Sequence, residues 1–138
     1  MKIEVFLFGR KEDCSGWFDF LDLEKIPFRY KGESFADTGK VNILAGYSRL
    51  KATKKEGEIY LIEPRRRSGL CAVSNMKNIS IRDNIVRFNN NISSNLAQNY
   101  SFSGFQESYL QREFSIGRMR EGLLKAFSLA GLPYVHLW

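Results

Sequence analysis

The sequence predicts a three-layer α/β domain on a mostly parallel sheet, with a β-hairpin set into it, and three observations carry that expectation. Apolar runs of strand length recur at 2–8, 41–47 and 58–64; helical periodicity follows the first run and fills the end of the chain; and two alternating segments near 79–88 lie close enough to pair. With 138 residues, 43% of them apolar and 14% aromatic, the chain has the length of one domain and the material for a core, so a single domain over 1–138 is expected.

The elements follow in order. Residues 2–8 alternate and then run apolar, as a partly to fully buried strand does. Asp13 or Ser15 could cap a helix in which Trp17, Phe18, Leu21 and Ile26 recur at helical spacing until Pro27. Phe28-Arg29-Tyr30 reads as a short strand and 31–34 as a turn. Val41 to Tyr47 is a candidate central strand, Ser48 to Gly57 an exposed basic loop, and Glu58 to Glu63 a further strand ended by Pro64. After a loop at 65–69, Leu70-Cys71-Ala72-Val73 offers another short strand. Ile79-Ser80-Ile81 and 84–88 flank Arg82-Asp83 as a hairpin. The Asn- and Ser-rich stretch 89–99 reads as a long loop. A helix is expected over about 117–130, capped by Ser115, with Met119, Leu123, Ala126, Phe127 and Ala130 as its apolar stripe and Gly131 with Pro133 ending it. Tyr134 to Trp138 then reads as a strand, so that the chain resembles one domain cut from a longer protein.

Charge is unevenly distributed. The net charge of +6 arises from −2 over residues 1–39, +7 over 40–88 and +1 over 89–138. A basic centre suits anionic partners such as nucleic acid or an acidic polymer, although a solvated basic surface is the commoner cause of such a run. Arg49, Lys51, Arg65, Arg66 and Arg67 are the candidate binding residues, because guanidinium forks pair with both oxygens of a phosphate or carboxylate, and Tyr47 and Tyr60 lie near them in sequence. No ribonucleoprotein-type aromatic motif and no helix-turn-helix pattern accompanies them.

Several chemistries lack their residues. The usual zinc sites need several converging ligands and the chain has one histidine, so no metal site is expected. Gly9 to Gly16 supplies only the two ends of a phosphate loop, with Trp17 where Lys-Ser/Thr should follow, and no cofactor is expected. Asp19 and Asp22 read as the solvated face of the first helix. Cys14 and Cys71 show no metal-ligand spacing and no disulfide framework. Gly69-Leu70-Cys71-Ala72-Val73 matches a nucleophile elbow only in its first half, and its second glycine, needed where packing is closest, is missing. A small Cys71-dependent hydrolase or transferase is therefore the third rival. The N-terminal run has no signal-peptide cleavage site, and no stretch reaches a membrane span, so a soluble, cytoplasmic domain is expected.

The final stretch, Lys125-Ala126-Phe127-Ser128-Leu129-Ala130-Gly131-Leu132-Pro133-Tyr134-Val135-His136-Leu137-Trp138, resembles the linker-proximal part of certain large bacterial polysaccharide deacetylase-like proteins. In them an amino-terminal, amidotransferase-like α/β domain ends in an A-G-L-P-Y-V-x-L-W run before the deacetylase barrel. The resemblance implies a flavodoxin-like or amidotransferase-like fold, and a catalytic domain in the same chain with metal ligands beyond Trp138. Tyr134, His136 and Trp138 would form the junction. By this reading the domain itself is a non-catalytic accessory that positions the carbohydrate esterase or aids recognition of a polysaccharide ligand. The alternative is a nucleic-acid or acidic-polymer binding module using 49–67.

Overall fold

The structure is a computed structural model that describes residues 2–65, 79–88 and 104–134, with side chains from 116 onward in the last stretch. The described residues form an α/β fold: β1 (Val5–Phe8), α1 (Lys11–Leu23), β2 (Phe28–Gly32), β3 (Val41–Ala45), β4 (Ile59–Glu63), β5 (Ile79–Arg82), β6 (Ile85–Phe88) and α2 (Gly104–Ala130). The six strands make one sheet in the order β2-β1-β3-β4-β6-β5. Every pairing is parallel except β5 with β6, and Val5 aligns with Phe28 on one side and with Val41 on the other. β3 and β4 are buried along their whole length, as the near-continuous apolar sequences of central parallel strands require.

Alternation along the strands divides the core. Val5, Leu7, Val41, Ile43, Ala45, Leu61, Val86 and Phe88 face α1 and α2, meeting Trp17, Phe20, Leu21, Met119, Leu123 and Phe127. Phe6, Phe8, Leu44 and Tyr60 face the other way, under Phe35, Tyr47, Leu50 and Ala52 of the loops 33–40 and 46–58. The chain thus steps from β1 to β2 across one face and returns to β3 across the other. Right-handed crossovers demand that change of face where the direction along the sheet reverses, at β1. Among the described residues both helices pack on one face, so the helical third layer expected from the sequence is replaced there by loops. Those connections are rich in Gly, Lys and Ser and carry no helical stripe.

The differences from expectation are local. α1 begins at Lys11, because Gly9 at φ +135° turns the chain at once and Arg10, extended at φ −72° and ψ 152°, is the N-cap; Asp13 and Ser15 lie inside the helix. β2 continues through Lys31 to Gly32, so the turn comes later than expected. The hairpin turns at Asp83-Asn84, one residue beyond the expected centre, because Arg82 pairs with Ile85 and Asp83 takes the left-handed conformation at φ 56°. Its second strand is itself a parallel neighbour of β4, so the hairpin is integral to the sheet. α2 has 27 residues and starts at Gly104, not near 117. Ser115 and Gly117 lie within it: an interior glycine costs about 1 kcal/mol against alanine, which a long helix rich in Gln, Glu, Arg and Leu absorbs. Of the expected strand from Tyr134 to Trp138, only Tyr134 is described, and it is not in a strand; the rest lies outside the described residues. The expected strand at 70–73, the loop at 89–99, and Cys71, Arg66, Arg67, His136 and Trp138 lie outside the described residues.

Candidate ligand-binding crevice

In a parallel sheet wound in both directions, the connections leaving the carboxyl ends of β1 and β3 part to opposite faces and open a crevice beyond the strands. Here it has a volume of about 250 Å³ and is lined by Glu12, Asp13, Ser15, Gly16, Gly46, Glu63, Pro64, Arg65 and Met119. Each wall follows from the chain near it. Gly9 sits so close to β3 that a Cβ would come within 2.4 Å of the Ala45 carbonyl oxygen, and this contact brings the first turn of α1 against the end of β3. The Tyr30 hydroxyl donates to the Gly9 carbonyl at 2.6 Å and fixes the turn. Gly46, at φ +85°, leaves room for Asp13, whose Cγ would lie 2.7 Å from a Cβ there.

Asp13 is the hub. Arg65 donates to both of its oxygens, from Nε at 3.0 Å and from the terminal nitrogen at 3.1 Å, while Arg10 Nε donates at 3.1 Å. Burial works against the charge on Asp13, but the hydrogen bonds and fields of Arg65 and Arg10 together hold its carboxyl below the usual carboxylate value. Its side chain is 11% exposed, against 58% for Arg65. The pair therefore closes the rim, with its acidic half inside. Glu63, the last residue of β4, is 4% exposed and accepts a 2.9 Å hydrogen bond from Trp17 Nε1. The Glu63 carbonyl accepts from the Gly46 and Tyr47 N–H groups, tying the end of β4 to the turn after β3.

The basic segment does not gather into one described patch. Lys54 pairs with Asp83 at 3.7 Å, at the end of the sheet where β6 begins, whereas Arg65 turns to Asp13 at the other end of β4. Five residues of strand, about 16 Å, separate them. Arg49 and Lys51 are exposed in the loop that covers the second face, where Arg87 donates to the Ser48 carbonyl. Tyr60 is a buried core residue whose hydroxyl serves the loop backbone, not a stacking surface. Cys14 is packed among core residues, and burial, with Asp13, Glu63 and Glu12 nearby, pushes its thiol up to about 12. That is the character of a packing thiol and not of a nucleophile. Asp19 and Asp22 are exposed, as expected.

At the opposite end of the strands lies a second cavity of about 300 Å³, walled by Val5, Ile26, Pro27, Phe127, Leu132 and Tyr134. Tyr134, the one junction residue described, stacks edge-on against Phe127 at 5.4 Å and donates to Glu24 Oε1 at 3.1 Å; Arg120 donates to the same oxygen at 2.6 Å. Burial and then the Glu24 carboxylate push the Tyr134 hydroxyl up. Among the described residues no group of three His, Cys, Asp or Glu is placed to hold a metal, and no helix is long and apolar enough to cross a membrane.

Sequence reasoning named Arg65 but missed its partners. By sequence pattern Asp13 is a cap and Glu63 part of a strand, and neither Arg10 nor Gly46 stands out as a site residue. The available signal was positional: in each of β1, β3 and β4 a glycine or a carboxylate stands where the apolar run stops. No family model, no curated protein and no solved structure matches this chain.

Proposed function

We propose that this chain is a non-catalytic accessory domain that holds a carbohydrate-esterase domain, following it in the same polypeptide, in a fixed position. The anchoring of Tyr134 carries the reading. Beyond α2 the chain does not leave the fold loosely: Gly131, at φ 70°, and Leu132 close a Schellman motif through hydrogen bonds to the Ser128 and Phe127 carbonyls, and Tyr134 is then pinned by Glu24 and Phe127. A segment held this way transmits the orientation of the sheet to whatever it joins. The strand order supports the flavodoxin-like member of the two expected folds. A nucleic-acid module draws less support, because Lys54 and Arg65 are committed to Asp83 and Asp13 at opposite ends of β4.

The test is a longer chain read from the gene past codon 138. It should encode a barrel with Asp and His metal ligands, and Tyr134→Ala should speed limited proteolysis at the junction about tenfold, since the anchoring contacts hold it closed. A stop codon at that point, or a variant cleaved at the wild-type rate, would overturn the proposal.

A further inference from the structure

The crevice lies beyond the carboxyl ends of β1, β3 and β4, at the other end of the strands from Tyr134 and about 20 Å away along α1, and has no part in the positional role. Its chemistry is mixed. Glu12, Asp13 and Glu63 supply carboxylates; Arg65, with Arg10 beside it, supplies guanidinium donors; Ser15 adds a hydroxyl; and Pro64 and Met119 offer apolar surface. Among the described residues, three acidic groups stand against two basic ones, a balance that does not favour a phosphate, and the two guanidiniums gathered on Asp13 oppose a compact cation. A ligand that gains from both kinds of wall is uncharged and carries many hydroxyls, each able to donate to a carboxylate and accept from a guanidinium or hydroxyl.

Size and placement agree with that chemistry. About 250 Å³ lies just below the range of roughly 300–1,000 Å³ typical of drug-sized ligands, which suits one sugar ring. The Asp13 carboxylate has room for about four hydrogen bonds and accepts three from Arg10 and Arg65, so it can take one more without releasing either. Ser15 Oγ donates to the Glu12 carbonyl and so presents its lone pairs. The two glycines of the lining, Gly16 and Gly46, bring backbone close without side chains between. We infer that this crevice is a binding site for a neutral polyhydroxylated ligand the size of a single sugar ring, with Asp13 and Ser15 accepting from its hydroxyls and Arg65 donating to it.

Titrating the 138-residue chain with D-glucose, D-ribose and N-acetylglucosamine, and separately with inorganic phosphate, while following the backbone amide resonances of Ser15, Gly16 and Gly46, tests this directly. At least one sugar is expected to shift those resonances, with an affinity equal at low and high salt. Arg65→Ala and Ser15→Ala, both at exposed positions, are each expected to weaken it about fivefold, the loss of one hydrogen bond, whereas Arg49→Ala leaves it unchanged. Three results would overturn the inference: no sugar shifting these resonances at concentrations up to about 50 mM, phosphate alone shifting them, or both crevice variants binding sugar like the wild type.

Discussion

Asp13 shows how one residue acquires a role that its neighbours in sequence do not reveal. It stands in the first turn of α1, where a negative charge is favoured by the helix dipole. It also draws in Arg65 from 52 positions away, so the same carboxylate clasps that arginine and lines the crevice. Its depressed pKa has a consequence for stability. A carboxyl that titrates lower in the folded chain contributes stability that is fully present above the unfolded value of about 3.9 and is lost as pH falls through the folded one. Asp13→Asn should therefore lower the Tm at neutral pH, and its deficit against the wild type should shrink as the pH is taken below about 4. Parallel thermal melts across that range give the answer; a constant deficit would mean that the Asp13 charge adds nothing.

At the scale of the element, both helices stop by the same device. α1 ends with the Lys25 and Ile26 N–H groups bonded to the Asp22 and Leu21 carbonyls, and α2 ends with the Gly131 and Leu132 N–H groups bonded to those of Ser128 and Phe127. The reversing residue in α2 is glycine, whereas in α1 it is Lys25 at φ 57°, where a side chain is strained. Lys25 is exposed, so Lys25→Gly should stabilise the protein by about 0.5–1 kcal/mol, read as a rise in the urea midpoint at unchanged slope. The sequence displays the second stop plainly, with Gly131 followed by Pro133, but hides the first, since lysine carries no signal for a left-handed turn. The early start of α2 was hidden for the opposite reason: Ser115 and Gly117 look like a boundary, and only continuous hydrogen bonding shows that the helix passes through them.

Over the whole molecule, α2 is seated on β3, β4 and β6 beside α1. Gly122 is its closest point, where a Cβ would lie 2.3 Å from the tip of the Phe88 ring. That ring cannot retreat, being fully buried, covered by the Arg118 guanidinium at 4.6 Å and flanked by Trp17 at 6.3 Å. Gly122→Ala should improve local helix propensity yet destabilise the fold by about 2 kcal/mol through overpacking, lowering the Tm by about 8 °C; a melt at or above the wild-type temperature would show that the layers can spread. The sequence by itself determined the α/β class, the central strands, the apolar stripe of α2 and its glycine stop, because burial imposes periodicities of two and 3.6 that composition cannot conceal. Tertiary structure alone decided that, among the described residues, loops cover one face of the sheet, that Lys54 and Arg65 of the basic segment lie at opposite ends of β4, and that Asp13, Gly46, Glu63 and Arg65 meet in one crevice. Those four come from the ends of separate strands and the turn of a helix, and pairing order, which no local pattern encodes, is what brings them together.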